Sequence, residues 1–293
     1  MLVHDESTGS TPRRDAALAA LANVEPVAGV SKPDPIVIAD KVVRQFGGLT
    51  AVDVDHVEIQ RGSITALIGP NGAGKTTFFN LLTGFDKPNS GNWTFNGTEL
   101  ANVPPHKVAR MGMVRTFQLT KALFRLSVME NMLLGAKHQI GESLLRAMLP
   151  SLWRKQEEAN RLRAQELLTR FKLDAKQDDF AAALSGGQRK LLEMARALMV
   201  DPELVMLDEP MAGVNPALTQ SLLGHIKDLR EQGMTVLFVE HDMDMVRDIS
   251  DWVIVMAEGK VVAEGQPDVV MSNPAVIDAY LGAHHDMSLE EQA

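Results

Sequence analysis

The chain carries two kinds of apolar pattern, which together predict β-strands of two types. Residues 36–43 and 52–59 alternate apolar and polar positions, as half-buried antiparallel strands do. Four later runs are almost continuously apolar; they occupy residues 64–68, 204–207, 236–239 and 253–256. Such runs are typical of strands covered on both faces, and hence of a parallel sheet flanked by helices. A turn signal at Glu258-Gly259, followed by an apolar stretch at 260–263, predicts a hairpin that closes the sheet.

The pattern becomes helical between residues 118 and 185. Within it, residues 157–171 place Leu162, Leu167 and Phe171 among many charged residues. Because this stretch interrupts a series of strands, we expect an α-helical insertion within an α/β core. No internal repeat or heptad pattern accompanies it.

The two ends of the chain lack such patterns. Residues 1–35 are rich in Ser, Thr, Pro and mixed charge, and we expect a disordered N-terminal tail there. Arg13-Arg14 precedes an apolar stretch at 16–22 and could mimic a twin-arginine signal. That stretch is short, Ala-rich and directly follows Asp15, which favours a tail. Residues 283–293 are predicted to form a C-terminal tail.

Composition narrows the possible partners. The net charge is −9, and the Lys and Arg residues do not cluster into a long basic stripe. Both features argue against a nucleic-acid partner. The chain has no cysteine, so disulfides, thiolate chemistry and Cys-ligated zinc are excluded. No stretch reaches the roughly 18–20 apolar residues that span a bilayer. If the protein works at a membrane, another chain must supply the spanning segments.

A glycine-rich loop after the strand at 64–68 carries the first candidate chemistry. It matches the P-loop pattern with the residues Gly69, Pro70, Asn71, Gly72, Ala73, Gly74, Lys75 and Thr76, and Thr77 opens a helix-like run. Glycines let backbone N–H groups converge on phosphate oxygens, and the helix N-terminus adds positive charge. Lys75 brings a full charge to the β/γ-phosphates, while the Thr76 hydroxyl is a ligand suited to Mg²⁺. The loop therefore predicts an ATP and Mg²⁺ site.

Polar side chains follow two other buried strands. Asp208 and Glu209 end the apolar run at 204–207, and His241 follows the run at 236–239. Ligands of open α/β sheets bind beyond the carboxyl ends of the strands, where the P-loop also lies. We expect Asp208 to hold Mg²⁺ through its water shell and Glu209 to polarise an attacking water. His241 is expected to hydrogen-bond near the γ-phosphate.

A pentapeptide, Leu184-Ser185-Gly186-Gly187-Gln188, resembles the signature of the ABC ATPase family. The resemblance covers about residues 36–282 and includes the P-loop, the acidic strand end and His241 in the expected order. It implies an α/β fold of the P-loop NTPase (RecA-like) type, with a parallel-sheet core, an N-terminal antiparallel β subdomain and an α-helical subdomain inserted at about 118–185. The residues alone predict that Ser185 opens a helix, whose N-terminus is a second anion site.

The resemblance also implies roles that the spacing of residues does not show. The signature residues Ser185, Gly186, Gly187 and Gln188 would close over the ATP of a second ATPase domain. Gln118 would touch Mg²⁺ and the transmembrane partner, Glu209 would be the general base, and Phe46 would stack on adenine. The alternative is that Phe46 is an aromatic residue packed in the core.

Three stretches are similar to the ATPases of branched-chain amino acid uptake: residues 45–52, residues 114–118 and Glu240-His241-Asp242-Met243. The resemblance implies a peripheral subunit at the cytoplasmic face of the inner membrane. Its partners would be transmembrane permease subunits, a related second ATPase and, indirectly, a substrate-binding protein. Two alternatives stay open: an ATPase of lipopolysaccharide or lipid export, and a soluble ABC ATPase without a transport role.

Overall fold

The computed structural model describes residues 12–116, 123–137, 150–278 and 280. Within these ranges the strands are β1 (Pro35–Phe46), β2 (Leu49–Gln60), β3 (Ile64–Ile68), β4 (Ser90–Phe95), β5 (Thr98–Glu99), β6 (Met113–Arg115), β7 (Leu204–Asp208), β8 (Thr235–Val239), β9 (Trp252–Ala257) and β10 (Lys260–Gly265). The helices are α1 (Pro12–Ala22), α2 (Lys75–Leu82), α3 (Pro105–Arg110), α4 (Val128–Leu133), α5 (Pro150–Arg170), α6 (Gly186–Ala197), α7 (Pro216–Glu231), α8 (Met243–Ile249) and α9 (Pro267–Met271).

The strands form two sheets, as the two apolar patterns predict. The first is antiparallel, with strand order β2-β1-β4-β5. The second has the order β10-β9-β3-β8-β7-β6, and all its pairs are parallel except the β9–β10 hairpin. The predicted strands are confirmed. β4, β5 and β6 were not expected, because β4 begins Ser-Gly-Asn and the other two are very short.

Both faces of the six-stranded sheet are covered, which explains the continuous apolar runs. On β7, Val205 and Leu207 belong to a core shared with the helices, and Leu204 and Met206 belong to a second core shared with the four-stranded sheet. All four side chains are buried. The sheet is therefore the middle of three layers, and its carboxyl edge is the place where strand-end side chains gather.

The described part of the predicted insertion is helical. α4 begins at a capping box, in which Ser127 accepts from the Glu130 amide and Glu130 accepts from the Ser127 amide. In the region of α5, Leu167 and Phe171 are buried, whereas Leu162 is exposed. The α4 and α6 helices pack against the same core cluster as α5. Gln118 lies outside the described residues, as do residues 281–293 with the predicted C-terminal tail.

Residues 12–35 correct the prediction of a disordered tail. They begin with α1, whose Ala17 and Leu21 are buried, and Arg14 pairs with Glu231 at 3.2 Å. Further along, Lys32 forms a fully buried ion pair with Glu264 of β10. The partners lie 232 residues apart in the chain, so no local pattern in the sequence could reveal the contact. In the part of the chain that is described, none of the helices is long and apolar enough to cross a bilayer.

Candidate active site

The glycine-rich loop connects the fully buried β3 to α2 and passes close to other backbone segments. Gly69 and Gly74 have φ of 148° and 95°, a region that side chains disfavour. A Cβ on Gly69 would lie 2.0 Å from the Met256 oxygen, and one on Gly74 would lie 2.2 Å from the Ala51 oxygen. A Cβ on Gly72 would meet open space. Gly69 and Gly74 therefore fix the path of the loop, because a side chain at either position would collide with neighbouring backbone.

Lys75, the first residue of α2, is folded back into this loop. Its ammonium donates to the carbonyl oxygens of Gly69 (2.7 Å) and Pro70 (2.8 Å), and only 6% of the residue is exposed. Burial lowers the pKa of Lys75, while the nearby carboxylates of Glu209 and Asp208 raise it. The loop thus holds a desolvated cation, which strengthens its attraction for an anion.

The strand-end side chains meet, because β7 and β8 are neighbours and Asp208 lies opposite Val239. Glu209 Oε1 lies 2.8 Å from His241 Nε2. An ionised carboxylate can only accept, so this ring nitrogen carries the proton when Glu209 is charged. Glu209 has φ of 46°, and its amide donates to the Val239 carbonyl at 3.1 Å. The carboxylate and imidazole therefore form one hydrogen-bonded pair at the sheet edge.

Arg115 is a residue of this edge that the motifs did not identify. Its guanidinium pairs with Asp208 at 2.6 Å and donates to the Asn80 side chain at 2.6 Å. Both partners of the ion pair are buried, with side chains 5% and 6% exposed. Arg115 ends β6, the strand next to β7, so the strand-end rule would have indicated it had β6 been predicted.

A cavity of about 640 Å³ brings the loop and the Glu209–His241 pair together. It is lined by Leu49, Thr50, Ala51, Asn71, Gly72, Ala73, Gly74, Lys75, Thr76, Thr77, Glu209, His241 and Glu258. Glu258 was missed as a lining residue, although it directly follows β9 (Trp252–Ala257), the parallel neighbour of β3. The cavity combines amides, a cation, hydroxyls and a carboxylate, which together suit a polyphosphate and a water.

Two oxygen donors at this edge could hold Mg²⁺. The Thr76 hydroxyl lines the cavity, and the Asp208 carboxylate lies at the end of β7. In the described ranges no group of three or more His, Cys, Asp and Glu side chains could hold a metal ion alone. Mg²⁺ is commonly held by one or two protein ligands together with substrate phosphates, and these residues fit that kind of site.

The predicted signature residues and Phe46 do not line this cavity. Ser185 caps α6 through a capping box with Gln188, and although residues 185–188 are all described, none lines the cavity. A Cβ on Gly187 would lie 1.6 Å from Leu218, so this glycine allows α6 to pack closely against α7.

Phe46 is 48% exposed, and the Arg44 guanidinium lies 4.3 Å from its ring centre. The alternative that Phe46 is a core aromatic residue is therefore wrong.

Comparison with known proteins supports the architecture independently. Residues 52–212 match the family model described as ABC transporter, and residues 260–286 match the one described as branched-chain amino acid ATP-binding cassette transporter. A probable branched-chain amino acid transport ATP-binding protein, LivG, of Archaeoglobus fulgidus is 44% identical over 81% of this chain and 92% of its own length. The high-affinity protein BraF of Pseudomonas aeruginosa is 39% identical over 85% and 98%. A solved nucleotide-free ATP-binding cassette of an ABC transporter is 36% identical over 84% and 98%, with a TM-score of 0.73.

Proposed function

The chain belongs to the family of ABC transporter ATP-binding proteins, and from this we propose that it is the ATP-hydrolysing subunit of an importer for branched-chain or other hydrophobic amino acids. One observation carries the enzymatic part: the glycine-rich loop, Lys75 and the Glu209–His241 pair line a single cavity. The relatives named above and the match over residues 260–286 support the amino acid substrate.

The lining of the cavity supports the binding roles that we propose for the loop residues. Backbone amides of residues 71–76 and the Lys75 ammonium would hold the phosphates of ATP, for which Lys75 would exchange its carbonyl partners. Thr76 and Asp208, with Gln118, are the proposed Mg²⁺ ligands, and the metal would neutralise charge on the phosphates. Phe46, exposed at the end of β1, is proposed to stack on adenine.

The Glu209–His241 pair supplies the proposed chemistry. Glu209 orients a water and takes its proton as the oxygen attacks the terminal phosphate. The 2.8 Å hydrogen bond from His241 Nε2 fixes the direction of that carboxylate. Since His241 also lines the cavity, its Nε2–H can be shared between Glu209 and the γ-phosphate once nucleotide is present, which is the contact that the sequence predicts.

The proposed partners follow from the family of the chain. Transmembrane permease subunits would carry the substrate across the membrane. A related second ATPase would supply the other signature, and a substrate-binding protein would deliver the amino acid. The assembly would place this chain at the cytoplasmic face of the inner membrane. The net charge of −9 gives no support for nucleic acid.

Reconstitution in proteoliposomes tests the proposal. The permease subunits and both ATPases are assembled with ATP enclosed, and labelled leucine is offered outside with the binding protein. We expect leucine accumulation that is lost with Glu209→Gln and kept with Glu203→Gln, an exposed glutamate outside the cavity. Hydrolysis stimulated by lipopolysaccharide or lipid, without leucine uptake, would favour the export alternative instead.

A further inference from the structure

The turn that follows β7 has a conformation that must be held by its surroundings. Glu209 has a φ of 46°, which costs a residue with a side chain free energy and persists only where neighbouring contacts enforce it. Within the turn, the Ala212 amide donates to the Glu209 carbonyl at 3.1 Å. A second local bond runs from the Val214 amide to the Met211 carbonyl at 3.1 Å. The Met211 amide and the carbonyls of Pro210 and Ala212 are bound by other elements instead.

Lys190 of α6 makes one such contact. Its ammonium donates to the Pro210 carbonyl oxygen at 3.0 Å and to the Ala212 carbonyl oxygen. Burial lowers the pKa of Lys190, while the carboxylates of Glu240, Glu193 and Glu209 raise it. A single charged group thus binds two carbonyls that flank Met211. Hydrogen bonds from a charged donor are stronger than those between neutral groups.

Glu240, which follows β8, makes the second contact. The residue is 6% exposed, and one carboxylate oxygen accepts from the Met211 amide at 3.0 Å. The other oxygen accepts from the His241 amide at 3.3 Å. Glu240 therefore joins the turn after Glu209 to the segment that carries His241. Burial raises the pKa of Glu240, and the two amide donors act in the opposite direction.

We propose that Lys190 and Glu240 are positioning residues that together hold the turn at residues 209–213 and so keep the Glu209 carboxylate against His241. The inference rests on the proposed role of Glu209 as the base. Neither side chain needs to touch the substrate. Lys190 lies on the helix that Ser185 caps, so the placement of the signature helix and the placement of the carboxylate are mechanically linked.

Matched pairs of variants test each contact. Lys190→Met removes the donor and Lys190→Arg keeps one; Glu240→Ala removes both acceptors and Glu240→Gln keeps one. In the assembled transporter, we expect Lys190→Met and Glu240→Ala to lower kcat roughly ten- to hundredfold, the effect of a small misplacement of a catalytic group. The affinity for MgATP should stay within about twofold, and the Arg and Gln variants should recover most of kcat. Lys227→Met, which breaks an exposed ion pair with Asp248, is the control.

A double variant distinguishes a loss of positioning of Glu209 from a general disruption of the fold. If Lys190 acts through Glu209, then Glu209→Gln with Lys190→Met should turn over ATP no more slowly than Glu209→Gln alone. Wild-type kcat in both Lys190→Met and Glu240→Ala would overturn the proposal, and so would a further loss in the double variant or a matching loss of MgATP binding. The proposed function fails separately, if Glu209→Gln itself retains turnover.

Discussion

The proposed hydrolytic chemistry uses three ionisable residues, and each has different surroundings. Lys75 is buried, and among the described residues its ammonium donates to two uncharged carbonyl oxygens, so its charge is available to an incoming anion. Glu209 is held in a disfavoured backbone conformation, and His241 fixes its carboxylate by a hydrogen bond of 2.8 Å. This division predicts that binding and turnover can be separated by single substitutions.

Glu209→Gln should abolish steady-state hydrolysis while ATP binding persists. The amide keeps the shape of the side chain but cannot accept the proton of the attacking water, and general-base help is typically worth about 10²–10⁴-fold. Phosphate release in the assembled transporter measures turnover, and calorimetry with MgATP measures binding. Retention of turnover within a few-fold of wild type would remove Glu209 from the mechanism.

Lys75→Ala should weaken nucleotide binding itself. It deletes the cation that neutralises the β/γ-phosphates, and a hydrogen bond to a charged group contributes about 1.5–3 kcal/mol, or roughly ten- to hundredfold in affinity. Lys87→Ala, an exposed lysine outside the cavity lining, is the matched control. An unchanged MgATP dissociation constant by calorimetry would contradict the role given to Lys75.

Local motifs predict the residues proposed to contact the nucleotide better than the residues that hold them in place. The loop from Gly69 to Thr76 and the strand ends at Asp208 and His241 follow from spacing and from the strand-end rule, and the structure gathers them at one edge. Arg115 could not be found that way, because its strand has only three residues. Lys190 and Glu240 act on backbone atoms of a turn, which leaves no sequence signal.

At the scale of elements, the N-terminal segment joins parts that the sequence keeps far apart. Glu264 of β10 accepts from the amides of Gly29 (2.6 Å) and Val30 (3.1 Å) and from the Trp252 indole (2.9 Å), besides pairing with Lys32. The Lys32 amide in turn donates to Glu58 of β2. The segment therefore ties the four-stranded sheet to the edge of the six-stranded one. Apolar periodicity predicts strands, but it carries no information about such long-range polar contacts.

Lys32→Met should destabilise the fold without changing the affinity for ATP. It leaves the Glu264 carboxylate buried without its cation, and breaking a buried pair on one side costs about 3–5 kcal/mol. Urea denaturation should show a lower midpoint at an unchanged m-value, and Lys32→Met with Glu264→Gln should recover part of the loss. Lys176→Met, whose partner Asp179 is exposed, is the control. A midpoint equal to wild type would show that the segment does not stabilise the core.

At the scale of the molecule, the two helix ends that the sequence predicts as anion sites do not line one cavity. α2 begins at the cavity, whereas α6 begins at Ser185, which is exposed and does not line it. The capping box already satisfies the Gln188 amide, and none of residues 185–188 lines the cavity that holds the loop residues. This agrees with the proposal that a second ATPase domain brings its own loop to Ser185, as the family resemblance implies.

Ser185→Arg should therefore leave this chain's own ATP binding intact and block the partner's site, because it places bulk and misdirected charge against the γ-phosphate there.

Two assemblies with the permease test whether the signature acts on the partner's nucleotide. In the first, Ser185→Arg is combined with a partner ATPase lacking its P-loop lysine, so both lesions fall on one composite site. In the second, this chain carries Ser185→Arg and Lys75→Ala beside a wild-type partner, so the lesions fall on different sites. If one intact site sustains turnover, the first assembly should hydrolyse ATP faster than the second, while Ser90→Arg, at an exposed position of β4, should leave both sites active. Equal rates in the two assemblies, with an active Ser90→Arg control, would show that the signature does not act on the partner's nucleotide.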